Sequence, residues 1–500
     1  MGIGVPPTTT ADAPPPTSPR RARRPSRHAA TRYNTRQAYD AAEATYRRLQ
    51  GEDPWASPSP GGGLAWSESR ALQSYLTMYR ATRDVTYLDR LVACSQPVLA
   101  ARDTQRGTTD YRGQSLPGWG AADPYTVSSI DLDDDEGQAA LRLVTAAPGR
   151  HLLVDVRTAA DGLFDLDVRS STARVELVRG LSLDPRHPRH VVRVLDQQFP
   201  GPAALTASDL SGLARPPTML AAARGLQLRA QRYVFAVHTG MICAPFAEFA
   251  ALLVREPGLR RRYGQPAAEM LSAAEAAVAL HDDDWRPLGT NTGLYAFPIG
   301  SPVPADGTYL PHNQYLAMAR CLAHLYLATA NPDYGRRVTL MLNLFRSELG
   351  HEPSPIWPYY WSGSQSFRGF DAGRTTSSHS PRMGPQQMME DPGHGALDVE
   401  ALVAGLDAGS GVPVALMSRL GGTFVNRVVR KGSDGRWVTV TALGSARTST
   451  PESLAAVRWI ELARWDRRVY PIIASMLDGW RPVLGEGSLL APIARLVELH

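Results

Sequence analysis

Two stretches of the chain repeat one another at a constant offset. Met78-Tyr79-Arg80-Ala81-Thr82, followed by Tyr87 and Arg90, matches Leu325-Tyr326-Leu327-Ala328-Thr329, followed by Tyr334 and Arg337. The second copy belongs to the stretch Leu310 to Arg337, where Leu316, Ala319, Cys321, Ala323, Leu325 and Leu327 recur near helical spacing. Pro311 stands before this run and the breaker Asn331-Pro332 after it, so it reads as one arm of a helical hairpin. A hairpin turn that recurs in a long helical chain points to a stacked or closed array of αα-hairpins.

A chain of 500 residues buries a large core and has room for two to four domains. With 20% charged and 43% apolar residues it has the composition of a soluble enzyme, while 40 Pro and 43 Gly predict many loops. No run approaches the roughly 20 apolar residues of a membrane helix, so no membrane partner is expected. Cys94, Cys243 and Cys321 are odd in number and scattered through apolar segments, which predicts free thiols in a reducing compartment. The net charge is +5, but the first 37 residues hold seven Arg against one Asp, leaving the remainder close to neutral. Nucleic acid is therefore not an expected target.

Residues 1–37 are rich in Pro, Thr, Ala and Arg and lack large apolar side chains, a composition that predicts a disordered basic tail. No apolar stretch follows Arg20-Arg21 and Arg23-Arg24, so a twin-arginine export signal is not expected and a cytoplasmic chain is, with release inside a particle as a further route. Residues 38–120 read as helices, with the Gly61-Gly62-Gly63 loop feeding Trp66-Ser67-Glu68-Ser69 and placing Trp66 and Glu68 near a helix start. Loops containing Asp110-Tyr111-Arg112-Gly113 and Pro117-Gly118-Trp119-Gly120 follow. Over 121–212 the period changes: Ala140 to Val144, Leu152 to Val156, Phe164 to Val168 and Arg174 to Leu177 are β-formers separated by Pro148-Gly149 and Asp161-Gly162 turns. Helices resume near Pro217, so this β-rich stretch interrupts a helical domain whose second part is 213–500.

Four loop regions concentrate groups able to do chemistry. They are Trp66 with Glu68; Tyr295 to Asn313; Trp357-Pro358-Tyr359-Tyr360-Trp361; and Glu390-Asp391-Pro392-Gly393-His394-Gly395. Four aromatics within five residues, broken by a proline, do not all point into a core, and exposed Trp and Tyr faces suit sugar rings; a loop plugging the helical array is the alternative. His312 and Asn313 open a helix, where amides favour an anion, or where the pair simply caps the helix. Glu390, Asp391 and His394 offer paired carboxylates and an imidazole for acid–base work, or a capping turn, or with Asp398 a metal site of only one turn. No metal and no cofactor is assigned. The acidic runs Asp131 to Glu136 and His281 to Trp285 lack the spacing of a cation loop and read as solvated.

Two resemblances attach to these residues. The stretch 139–199, through Leu141-Arg142-Leu143, Ala147-Pro148-Gly149, Gly162-Leu163-Phe164-Asp165-Leu166, Leu181-Ser182-Leu183-Asp184-Pro185 and Val191 to Leu195, resembles a segment of phage-type contractile tail sheath proteins. That implies partners in a contractile tail or injection particle. The repeated hairpin, the Trp-Ser-Glu helix start, the Leu-Pro-His-Asn helix start and the Glu-Asp-x-x-His-Gly turn together resemble the (α/α) toroid, or six-hairpin, carbohydrate-active proteins, such as polysaccharide lyases and uronyl epimerase relatives. The expected fold is accordingly mainly α, a helical-hairpin toroid interrupted by a small β-rich insertion domain, and the expected substrate a polysaccharide or oligosaccharide. The residue types a lyase on a uronate glycan would use are matched by His312, Asn313, Tyr360 and His394, and the expected catalytic residues are His312, Tyr360, Asp391 and His394. Trp66, Glu68, Trp119, Tyr295, Asn313, Trp357, Tyr359, Trp361 and Glu390 would bind the sugar. A glycoside hydrolase would instead rely on Glu68, Glu390 and Asp391, and a structural or glycan-binding role in a particle would need no reaction.

Overall fold

The computed structural model describes residues 31–51, 55–210, 219–371, 373–449, 454–480 and 486–500. The expected disordered tail lies outside the described residues up to position 30. Within 31–37, Thr31, Tyr33 and Asn34 are buried, and Asn34 Nδ2 lies 3.1 Å from His500 Nδ1.

The helices are α1 (Arg36–Gln50), α2 (Ser69–Thr82), α3 (Thr86–Ala100), α4 (Val191–Gln198), α5 (Ala236–Arg255), α6 (Arg260–Ala279), α7 (His312–Thr329), α8 (Pro332–Glu348), α9 (Pro392–Asp407), α10 (Val414–Thr423), α11 (Val469–Trp480) and α12 (Leu490–Leu499). A 3₁₀ helix over Ala455–Arg464 takes the place of one further helix. The repeated sequence builds the same turn twice. After α2, Arg83 turns left-handed (φ 61°) and donates its N–H to Tyr79 O at 2.7 Å; after α7, Ala330 (φ 58°) donates to Tyr326 O at 2.8 Å. The Thr82 and Thr329 hydroxyls donate back to Met78 O and Leu325 O, and accept from the amides of Asp84 and Asn331 at 3.2 Å in both copies. Asp84 and Asn331 then accept from Thr86 N and Asp333 N, both at 3.0 Å, to start the next helix.

The pairs α2/α3, α5/α6, α7/α8, α9/α10 and the 3₁₀ helix with α11 pack as neighbours, and α12 packs on α1. The first member of each pair also touches its counterpart in the next: α2 on α5, α5 on α7, α7 on α9, α9 on the 3₁₀ helix, that helix on α12, and α12 back on α2. Composition follows position in this ring. Along α7 every residue from Tyr315 to Ala323 is buried, so the helix is enclosed on all sides instead of showing one apolar stripe. The same holds for α5, which is long and apolar enough to cross a membrane by length and composition (mean hydropathy 1.6), against the expectation that no run reaches that length; 94% of that window is buried inside the fold. Cys243 on α5 and Cys321 on α7 are buried thiols, and Cys94 is half-buried. A cavity of about 390 Å³, lined from all six inner elements, lies within the ring.

Between α3 and α5 stand two four-stranded antiparallel sheets with their own apolar core, which runs from Leu132 to Leu228. Their strands are β1 (Ser128–Asp133), β2 (Ala139–Thr145), β3 (Leu153–Thr158), β4 (Phe164–Arg169), β5 (Arg174–Leu181), β6 (Leu205–Asp209), β7 (Ala223–Gln227) and β8 (Arg229–Ala230), ordered β6-β2-β1-β8 and β5-β4-β3-β7. Gly149 (φ 68°) and Asp161-Gly162 (φ 61° and 73°) make the turns. β7 and β8 pair with β3 and β1 beyond residue 212, and the next helix starts at Ala236, past Pro217, which lies outside the described residues. The acidic runs are solvated only in part: Asp131, Asp133, Asp135, Glu136, Asp282 and Asp283 are exposed. Asp131 to Asp133 lie in β1, Asp134 is buried and accepts from the amides of Glu136 and Gln138, and His281 and Asp284 are buried against Thr239.

Candidate functional site

Asp391 caps α9. Its Oδ1 accepts from Gly393 N at 2.8 Å and His394 N at 3.0 Å, and its Oδ2 lies 2.5 Å from His394 Nδ1. Pro392 at the first helical position gives up no hydrogen bond, since that amide would be unpaired anyway. Burial pushes the Asp391 carboxyl up, but the His394 side chain and the two amides outweigh it and hold the group below the usual carboxylate range. A helix N-terminus favours the same ionised form.

The neighbouring Glu390 is its electrostatic opposite. It is 0% exposed; Asn313 Nδ2 donates to Oε2 at 3.1 Å and Asp391 N to Oε1 at 3.0 Å. Burial, then the charges of Asp398 and Asp391, push its pKa well up, which favours the protonated carboxyl. Asp398, one turn into α9 and fully buried, is raised by burial in the same way; its Oδ2 accepts from Trp357 Nε1 at 2.8 Å. One ligand atom each from Glu390, Asp391 and His394 lies within 4.8 Å of the others, the spacing of a cation site. Glu390 is buried with both oxygens already accepting hydrogen bonds, which leaves such a site one reachable carboxylate and one imidazole, a poor donor set for a hard cation.

Backbone pairing brings three of the four loop regions together. Glu390 N donates to Trp357 O at 3.1 Å, Tyr359 N to Met388 O at 2.9 Å, and His312 N to Tyr359 O at 3.1 Å. The aromatic loop thus runs antiparallel beside 388–390 and over the start of α7. Tyr359 and Tyr360 are half-buried and meet edge-on at 4.8 Å, and Tyr359 meets the His394 ring at 5.9 Å. On the other side of His394 stands Trp66, edge-on at 5.8 Å and only partly buried, carried on a π-helical turn over Leu64–Glu68 that leads into α2. Burial, followed by neighbouring Tyr360 and Glu390, raises the Tyr359 phenol, and burial with Glu390 raises that of Tyr360. Asp391 and His394, with side chains 42% and 36% exposed, are the ionisable members that solvent and a ligand reach.

Other expected site residues are elsewhere. His312 is fully buried, with Nδ1 2.6 Å from Tyr315 OH, and burial pulls its pKa down to about 3, so it is a neutral core imidazole and not a proton donor to a substrate. Trp357 is the one of its four aromatics that turns inward, stacked at 6.0 Å on Trp459 and edge-on to Phe345, because Asp398 satisfies its indole N–H there. Trp119 is buried with Nε1 donating to Val98 O, and Tyr295 is buried with its hydroxyl accepting from Arg337. Glu68 turns away from Trp66 toward α1, where Arg47 Nη1 and Tyr46 OH donate to it. Trp361 packs half-buried against Tyr309.

Sequence reasoning misses three members, Tyr125, His238 and Arg458. Tyr125 and His238 extend the aromatic wall beyond Trp66, with His238 6.1 Å from the Trp66 ring and 5.0 Å from that of Tyr125. The available signal is a histidine at the start of an inner helix, shared by His238, His312 and His394. The third is Arg458, which donates to Gly393 O from the 3₁₀ helix; no local pattern marks it.

No family model and no curated protein matches the chain. Among solved structures, one that is similar is the crystal structure of a family 76 glycoside hydrolase from a bovine Bacteroides thetaiotaomicron strain, with a TM-score of 0.28 and 10% identity over 76% of this chain and 98% of that one. At that TM-score and identity the likeness carries no argument about the fold or chemistry of this chain.

Proposed function

We propose that the chain is a carbohydrate-active enzyme, a glycoside hydrolase built on a six-hairpin (α/α) toroid that the sheets of β1 to β8 interrupt. The observation that carries this reading is the solvent-facing pair of Asp391 and His394, Oδ2 2.5 Å from Nδ1, with the Asp391 carboxyl held below the usual carboxylate range, under a wall of Trp66, Tyr359 and Tyr360. Asp391 supplies the ionised carboxylate that faces the sugar, and His394, the other group a ligand reaches, carries the proton, while Glu390 is enclosed behind them. The half-exposed rings supply stacking faces for the sugar.

Hydrolysis is favoured over the lyase reading because His312, one of that reading's proton carriers, is enclosed in the core. The particle reading rests on the sequence of 139–199 alone. The test is a glycan panel scored both for new reducing ends and for the absorbance of an unsaturated uronate. Wild type should release reducing ends without new absorbance, and Asp391→Asn should lower the rate roughly 10²–10⁴-fold with the fold intact. Unsaturated product, or an Asp391→Asn variant as active as wild type, would overturn the proposal.

A further inference from the structure

The cavity inside the ring is lined largely by charged groups, and their balance is uneven. Away from Glu400, cations and carboxylates match, with Arg80, Arg255, Arg464 and Arg495 against Glu248, Asp407, Glu461 and Glu498. Arg80 and Arg495 each contact two carboxylates, drawn from Glu248, Glu461 and Glu498. Around Glu400 they do not. Arg70 Nη1 donates to Glu400 Oε2 at 2.5 Å and Arg320 Nη1 to the same oxygen at 3.1 Å, and Glu400 also lies within electrostatic reach of Arg458. Three guanidinium groups around one carboxylate leave a formal excess of two positive charges among these four side chains.

Arg70 is the least satisfied of them. It is 1% exposed, lines the cavity, and its Nε and Nη2 have no hydrogen-bond partner among the described residues. Unpaired buried donors on a cation are costly, and they form a fork that a planar or tetrahedral oxyanion fits with two parallel bonds. Burial, assisted by the charges of Arg458 and Arg320 and opposed by that of Glu400, pulls the Arg70 pKa down to about 9, the mark of a cation short of negative charge.

We propose that the inner cavity binds a small dianionic oxyanion of the phosphate class, held by Arg70, Arg320 and Arg458 opposite Glu400. With a volume of about 390 Å³ the cavity accommodates either free phosphate or the phosphate group of a monoester. The site does not depend on the hydrolase reading; Arg458, which donates to Gly393 O and feels the charge of Asp391 as well as that of Glu400, links the two.

The test is thermal unfolding of the full chain in 10 mM inorganic phosphate against chloride of equal ionic strength, repeated with a hexose 6-phosphate. Wild type should melt a few degrees higher in phosphate, since a ligand bound only to the folded state stabilises it by mass action. A larger rise with the ester identifies a phosphorylated ligand, and an equal or smaller one the free ion; both support the site. Arg70→Gln should abolish the rise. Calorimetric titration of Glu400→Gln keeps the test decisive if Arg70→Gln fails to fold, because removing the competing carboxylate should tighten phosphate binding about tenfold or more. No rise in wild type, an equal rise in Arg70→Gln, or unchanged affinity in Glu400→Gln would overturn the proposal.

Discussion

Side by side in sequence, Glu390 and Asp391 have opposite titration behaviour, and the signs differ accordingly. Asp391 is depressed, so its stabilising contribution is present above its unfolded value of about 3.9 and is lost as pH falls through the folded value. Glu390 is raised, so its contribution is present below its unfolded value of about 4.3 and is lost as pH rises through the folded value. Glu390→Gln fixes the neutral form. Its melting temperature should therefore exceed that of wild type at pH 8–9 and converge with it toward pH 4, and a constant gap across that range would show that Glu390 is not held neutral. Trp357→Phe tests the buried side of the same cluster. It leaves Asp398 Oδ2 without its indole donor and a void beside Trp459, so it should cost about 1–3 kcal/mol in urea unfolding. The residue types in the Glu-Asp-x-x-His turn are legible from sequence because the capping geometry is local. Which of the four aromatics at 357–361 turns inward is not, since Asp398, 41 positions away, decides it.

At the scale of elements, the repeated turn is the feature most fully legible in the sequence. Each hydrogen bond in it spans four residues or fewer, so the pattern Thr, polar cap, Tyr, Arg carries its own geometry. The copies differ in the residue placed at positive φ. Ala330 bears a Cβ in a left-handed conformation that glycine adopts without penalty, so Ala330→Gly should stabilise by about 0.5–1 kcal/mol despite glycine's greater unfolded entropy. Asn331→Ala removes the cap on the other side of the turn and should cost about 1 kcal/mol. Urea midpoints of the two variants check both signs, and a destabilised Ala330→Gly would mean the turn stores no strain. The sheets are legible through period and turn residues, but β7 is not, because its pairing with β3 bridges some 70 positions that no local pattern records.

The whole molecule closes through its two ends. The first helix, α1, pairs with the last, α12, while α12 also seats against α2, so the sixth pair of the ring joins segments more than 400 residues apart. No periodicity along the chain exposes such a contact. Residues 31–35 add to this closure: Tyr33 and Asn34 are buried, Asn34 meets Tyr470 and His500, and the Arg32 amide donates to Asp478 on α11. The Pro- and Arg-rich residues 1–30 carry no comparable apolar anchor in their sequence. Two truncations separate the two stretches. Removing 1–30 should leave the melting temperature within about a degree, whereas removing 1–35 also exposes what Tyr33 covers, a loss of about 1.5–3 kcal/mol, and takes the Thr35 cap from α1. The second truncation should therefore melt several degrees lower. It should also unfold less cooperatively, because a ring whose closing pair has lost its clamp can open at that pair while the others hold; equal melting curves for the two truncations would show that the ends do not secure the ring.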